Sequence, residues 1–324
     1  MAAGEFELIE RIRARCAVRP DVLLGIGDDA ALLLPPRRGE VLCVCVDTLN
    51  VGVHFPPDTA AFDIGWKALA VNLSDLAAMG ARPQWATLSL SLPESNGDFV
   101  DALLDGLLTL ADSHGVSLVG GDTTRGPLSV CVQALGAVDP QKALRRSGAR
   151  AGDGIYLSGG IGDAAAGLAL CQGRLQTAIS EHETYLLERL HRPTPRVALG
   201  HELGGIARAA IDISDGLLGD LGHVLRASAV GARIDLDRLP TSQALAAVLP
   251  GPAARWPLQL AGGDDYELLL CGPSELMEAS AAHTRGELQR IGWIEAESGL
   301  RIERAGQPWP GADALRGFDH FAKP

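Results

Sequence analysis

Aspartates recur beside turn-forming residues at several places. They are Gly27-Asp28-Asp29, Asp47-Thr48, Asn72-Leu73-Ser74-Asp75, Gly120-Gly121-Asp122-Thr123-Thr124, Asp212-Ile213-Ser214-Asp215-Gly216 and Gly262-Gly263-Asp264-Asp265. Any one of them reads equally as a turn or a helix cap. Together, flanking apolar runs, they suggest chemistry. Two carboxylates about 4 Å apart repel by about 4 kcal/mol at an effective dielectric near 20. Aspartates that converge therefore need protons or bound cations. Carboxylate oxygens suit Mg²⁺, which keeps waters and shares phosphate oxygens. The expected chemistry is phosphoryl transfer at a multi-magnesium site.

Several familiar phosphate devices are missing. There is no GxxxxGK[ST], HRD or DFG string, which excludes P-loop NTPases and protein kinases. Lysine occurs only at 67, 142 and 323, so Arg146 is the natural candidate for contacting polyphosphate. Two stretches mimic a dinucleotide fingerprint, Gly25–Ala30 and Gly160–Ala165. The first places two acids where a pyrophosphate would lie. The second follows a strand and opens a helix, so it reads as a dinucleotide site or as close strand-to-helix packing. His54 lies in a Gly/Pro-bounded loop seven residues beyond Asp47, either structural or contacting a ligand. Phe318, in GFDHF, either packs or stacks on a flat heterocycle.

The elements that must position these residues follow from pattern. The chain has 324 residues, 47% hydrophobic and 21% charged, which suits about two globular domains. Aromatics are 4%, so aliphatic residues and alanine fill the core. A net charge of -12 argues against nucleic-acid or anionic-membrane partners, and a phosphate ligand would need cations to approach. The six cysteines lack CxxC pairing and read as small buried hydrophobes in a reducing compartment. No signal-type h-region and no run near ~18 apolar residues is present, so a cytoplasmic protein is expected.

Periodicity predicts helices over 5–15, 60–79, 97–114, 162–170, 181–190, 195–203 and 216–228. It predicts strands over 41–46, 85–92, 116–119, 128–138, 154–158, 208–213, 232–236, 266–271, 288–294 and 299–304. Asp47 and Thr48 end the first strand in this reading, and 120–127 is a loop. The polar stretch 139–153 reads as a linker between an N-terminal domain (1–138) and a C-terminal domain (154–324). Both halves are α/β or α+β, and no internal repeat is visible.

Ordered strings along the chain resemble the bacterial thiamine-monophosphate kinases. They are GEFELI (4–9), GIGDDAALL (25–33), DTLNVGVHF (47–55), GWKALAVNLSDLAAMGA (65–81), GGDTTRGPLS (120–129), DISDGLLGDLGH (212–223), GGDDYELL (262–269) and GFDHF (317–321). DISDG and GGDDYE alone would suggest only the wider superfamily of aminoimidazole ribonucleotide and selenophosphate synthetases. Cys16, in a helical RIRARCAV stretch, lacks the glycine-rich setting expected of a selenophosphate enzyme. A non-catalytic nucleotide or metal sensor is the alternative from another class.

The resemblance implies transfer of the γ-phosphoryl of ATP onto thiamine monophosphate. It also implies several Mg²⁺ ions, two α/β domains, and a homodimer whose N-terminal sheets pair into a barrel. By position, Asp29, Asp47, Asp75, Asp122, Asp212 and Asp215 match metal ligands. Asp75, Asp122 and Asp212 are the expected catalytic acids. Gly121, Arg146 and Ser214 match nucleotide contacts, and His54, Asp264 and Phe318 match positions that hold the thiamine phosphate. The family often has Ser or Thr where this chain has Cys45 and Val46, so there the metal contact falls to the Val46 carbonyl or the Cys45 thiol. It commonly has Glu where this chain has Asp264. An acceptor that is already a phosphate monoester needs no general base, and direct transfer without a phosphoenzyme is expected.

Overall fold

The computed structural model describes residues 5–16, 19–283, 288–311 and 315. It divides into two compact units, 1–76 with 81–140, and 77–80 with 141–324.

The first unit contains α1 (Glu5–Arg15), a two-stranded ladder of β1 (Val22–Leu24) and β2 (Leu32–Leu33), and then β3 (Val41–Asn50). α2 (Ala61–Ala78), β4 (Arg82–Leu92), α3 (Gly97–His114), β5 (Ser117–Arg125) and β6 (Ser129–Val138) follow. The main sheet runs β3-β6-β4-β5, with β4 and β5 parallel and the other pairs antiparallel. α2 and α3 supply a leucine-rich core (Leu69, Leu73, Leu76, Leu103, Leu104, Leu107), consistent with the scarcity of aromatics. Asn96 caps α3, accepting from the Phe99 amide, and Gly115 ends it in a left-handed turn.

Two expectations are corrected here. β3 runs on to Asn50, so Asp47 and Thr48 lie within a strand rather than at its end. Most of the stretch 120–127 is not a loop, because β5 continues to Arg125 and only Gly126 and Pro127 lie beyond it. The glycines that suggested a loop instead permit close pairing. A Cβ at Gly121 would meet the Leu88 carbonyl oxygen at 1.9 Å, so only glycine lets β5 approach β4 there.

The second unit is built on a seven-stranded sheet in the order β13-β12-β9-β11-β7-β10-β8. In chain order its elements are β7 (Gly154–Leu157), α4 (Asp163–Cys171), α5 (Ser180–His191), α6 (Val197–Leu203), β8 (Ala209–Asp212), α7 (Leu217–Ser228) and β9 (Gly231–Asp235). α8 (Gln243–Val248), α9 (Pro252–Ala261), β10 (Leu268–Gly272), α10 (Ser274–His283), β11 (Gln289–Glu295), β12 (Gly299–Arg304) and β13 (Gln307–Pro308) complete it. Leu268 and Leu270 pack into one core and Leu269 and Cys271 into another. Coverage on both faces explains the unbroken apolar run of β10.

The stretch 139–153 differs from a free linker. From Gln141 it belongs to the second unit, where Leu144, Ala149 and Asp153 are buried and Arg208 pairs with Asp153. α8, α9 and α10 were not read from the sequence. No helix among the described residues is long and apolar enough to cross a membrane.

Candidate functional site

In the first unit, alternation along β3 turns Cys43, Cys45 and Asp47 to the face covered by α2, and Leu42, Val44 and Val46 to the open face. The Cys45 Sγ lies 3.3 Å from the Asn72 carbonyl oxygen and donates to it. Burial pushes this thiol up, and the charges of Asp75 and Asp47 push it further. Asp47 and Asp75 therefore gather around one half-buried thiol where β3 meets α2. Cys45 is held neutral as a hydrogen-bond donor. The Val46 side chain is exposed, so only its main-chain oxygen could serve a metal.

Asp122 stands apart from this pair. In register it is level with Ser89, which is level with Cys131 and, across the sheet, Thr48. That row is on the open face, and Asp122 and Ser89 are both exposed. Asp29 is exposed in the loop after β1, its amide donating to the Asp28 carboxylate at 2.9 Å. His54 sits in the turn after β3, its Nδ1 accepting from the Asn50 amide at 2.9 Å. That bond places the proton of the neutral ring on Nε2.

In the second unit the two acidic motifs are bonded to each other. Asp264 N–H donates to the Ser214 carbonyl (2.9 Å), Tyr266 N–H to that of Ile213 (2.8 Å), and Ile213 N–H to that of Glu267 (2.8 Å). A Cβ on Gly263 would meet the Ser214 oxygen at 2.2 Å, so glycine is required for the two segments to touch. Asp212, Ser214 and Asp264 thus share one corner at the ends of β8 and β10. Asp220, from α7, accepts from the amides of Ser214 and Asp215, each at 3.1 Å. Arg146 and Asp215 both lie within electrostatic reach of His223 on α7. Ser228 Oγ ties the Arg146 segment down, accepting from Gly148 and Ala149 and donating to the Arg146 carbonyl.

Burial, then Asp212 and Asp215, push the Asp220 carboxyl up to about 7. Its unfolded value is near the ordinary 3.8. Between these values the folded chain holds a proton that the unfolded chain has released. Stability contributed here is therefore lost as pH rises from about 4 to about 7. In magnesium-free buffer the thermal midpoint should fall between about pH 4 and 7, and Asp220→Asn, which keeps an acceptor oxygen, should flatten that slope. Parallel slopes for the two proteins in a pH series of melts would refute this.

Gly160–Ala165 is explained by packing. The Gly162 amide, at the start of α4, donates to both oxygens of the fully buried Asp265 carboxylate at 3.0 and 2.8 Å. The place a pyrophosphate would occupy is filled by the protein's own acid. Beside it Glu267, also buried, accepts from Arg196 Nε and Nη2 (2.7 Å each), Arg189 Nη2 (2.9 Å) and Ser158 Oγ (2.6 Å). Buried Asp163 accepts from Ser242 and Tyr185. Asp220, Tyr266 and this buried acid–arginine cluster were not singled out from sequence. Asp265, Tyr266 and Glu267, the last three residues of GGDDYE, are all buried.

Hard carboxylate oxygens with like charges drawn together suit Mg²⁺, and the residues present fit it. Among the described residues no group of three or more His, Cys, Asp or Glu is arranged to hold a metal alone. Mg²⁺ is ordinarily held by one or two carboxylates with phosphate oxygens and waters completing six. Asp47 and Asp75, both within reach of the Cys45 thiol, and Asp212 and Asp215, both within reach of Asp220, meet that requirement. Phe318 lies outside the described residues.

Residues 27–138 match the family model for the AIR synthase related protein, N-terminal domain, and residues 150–304 match that for the C-terminal domain. Over 335 residues, covering all of both chains, the sequence is 48% identical to the thiamine-monophosphate kinase of Salmonella typhimurium. The chain belongs to the thiamine-monophosphate kinase family. The crystal structure of the family's enzyme from Stenotrophomonas maltophilia K279a superposes with a TM-score of 0.85 at 52% identity, covering 95% of this chain and 99% of that one. AaThiL complexed with AMPPCP and TMP superposes with a TM-score of 0.75 at 31% identity, covering 94% and 96%. The two-domain α/β architecture of the family is the one seen here.

Proposed function

We propose that this chain phosphorylates thiamine monophosphate to thiamine diphosphate, taking the γ-phosphoryl of ATP by direct in-line transfer. The observation that carries the reading is full-length similarity to thiamine-monophosphate kinases, and the acidic motifs that resemble theirs support it. In this reading Asp29, Asp47, Asp75 and Asp122 of the first unit, with the Val46 carbonyl, hold Mg²⁺, as do Asp212 and Asp215 of the second. Cys45 is left out as a ligand, because its thiol stays neutral and serves Asn72. When bound, Mg²⁺ supplies the positive charge that lets two anionic phosphates approach. Gly121 offers exposed main chain to the nucleotide, Arg146 a guanidinium and Ser214 a hydroxyl. His54 donates from Nε2 to the acceptor, Asp264 offers its carboxylate, and Phe318 stacks on the heterocycle. The acceptor's own anionic oxygen attacks, so no side chain need remove a proton.

The chain is further proposed to act as a homodimer. Leu42, Val44 and Val46 are about half exposed in a row on the open face of the edge strand β3, and a second copy's sheet would cover them.

The test is incubation with Mg·ATP and a panel of phosphorylated acceptors, scoring ADP and product mass. ADP release that requires thiamine monophosphate is expected, at twice the chain mass by light scattering. Nucleotide binding without turnover would favour a sensor instead. Label from γ-labelled ATP left covalently on quenched protein would rule out direct transfer.

A further inference from the structure

We propose that Tyr266 is a positioning residue for the acceptor, acting by holding the Asp264 carboxylate. The inference rests on the reading of Asp264 as an acceptor contact. Asp264 (φ 68°) and Tyr266 (φ 50°) both lie in the left-handed region, which neither side chain favours. The other non-glycine examples among the described residues, Ala229 and Ala305, are at other turns. Two such residues in three consecutive positions persist only where the surroundings dictate the backbone.

Those surroundings are on both sides. The main chain of 264–267 is bonded to the Ile213–Ser214 segment. Beneath it, Asp265 is fixed by the Gly162 amide, its carbonyl accepts from Arg189 at 3.1 Å, and Glu267 is fixed by Arg189 and Arg196. The outcome of this bracing is local. The Tyr266 ring is buried, 8% exposed, and its hydroxyl turns back to donate to Asp264 Oδ1 at 3.1 Å. A carboxylate anchored at one oxygen can present the other in a single direction. Asp is one methylene shorter than Glu, so the direction in which it points sets what it can reach.

The experiment measures KM for thiamine monophosphate and for ATP in Tyr266→Phe, Asp264→Gly and the double variant. Glycine at 264 keeps the left-handed backbone without cost. Tyr266→Phe should raise KM for thiamine monophosphate about tenfold, the scale of one hydrogen bond to a charged group. KM for ATP should stay within about twofold, with the melting temperature unchanged. In the Asp264→Gly background the same substitution should add nothing, because the group it positions is gone. If Asp264→Gly raises the acceptor KM and Tyr266→Phe does not, Tyr266 is no positioning residue and the acceptor reading stands. If Asp264→Gly leaves the acceptor KM unchanged, the acceptor reading falls and this inference with it. Equal rises in both KM values, or an effect that persists without the Asp264 carboxylate, would mean a merely structural tyrosine.

Discussion

Asp75→Asn should lower kcat by about 100-fold or more, the usual scale for losing one charge-stabilising group at a reacting centre. Folding stability should be unchanged or slightly higher. The two effects part because Asp75 does opposite things in the two settings. In the resting protein it and Asp47 place two like charges within reach of the Cys45 thiol, so replacing it with a neutral isostere relieves repulsion. In turnover it is a proposed Mg²⁺ ligand, and an amide oxygen is a weaker donor to a hard cation than a carboxylate. Excess Mg²⁺ should recover part of the lost rate. Steady-state kinetics over a magnesium series, beside thermal melts, measures both quantities. A fully active Asp75→Asn enzyme at ordinary magnesium would remove Asp75 from the metal site.

Glu267→Gln should be the most destabilising conservative substitution in the second unit. Glu267 is 1% exposed and receives the guanidinium groups of Arg189 and Arg196, both largely buried. Neutralising it removes the negative charge that both guanidinium groups share, and breaking a buried pair from one side costs about 3–5 kcal/mol. For a chain of this size that is a drop in melting temperature on the order of 10 °C. Kinetics should suffer as well, because Glu267 ends the segment that carries Asp264. Urea titration followed by a probe in the second unit measures the change. A shift below about 1 kcal/mol, the range of exposed pairs, would show that the cluster is solvated in solution.

The two predictions differ in how far sequence alone could reach. Asp75 was legible in NLSD, because an aspartate near the end of a long apolar-striped helix is an unusual place for a charge. Glu267 was not, because nothing in GGDDYE says that its last residue meets arginines some seventy positions upstream. Gly160–Ala165 is instructive in the same way. Its spacing was compatible with a dinucleotide loop, and only the arrival of Asp265 from a distant turn decides that its amide is already taken. Glycine also misled once: in 120–127 it marked close strand pairing rather than a loop, and local spacing does not distinguish the two.

From its sequence alone this protein had its α/β character, most of its helices and strands, the identity of its acidic motifs and the family they resemble. Those features depend on residue type and short-range period, which are local. Which acids share a seam, which face of the sheet Asp122 occupies, and how Asp264 is braced were settled by tertiary structure. Those depend on pairing between segments far apart in the chain, where register and burial choose one partner among many of the same type.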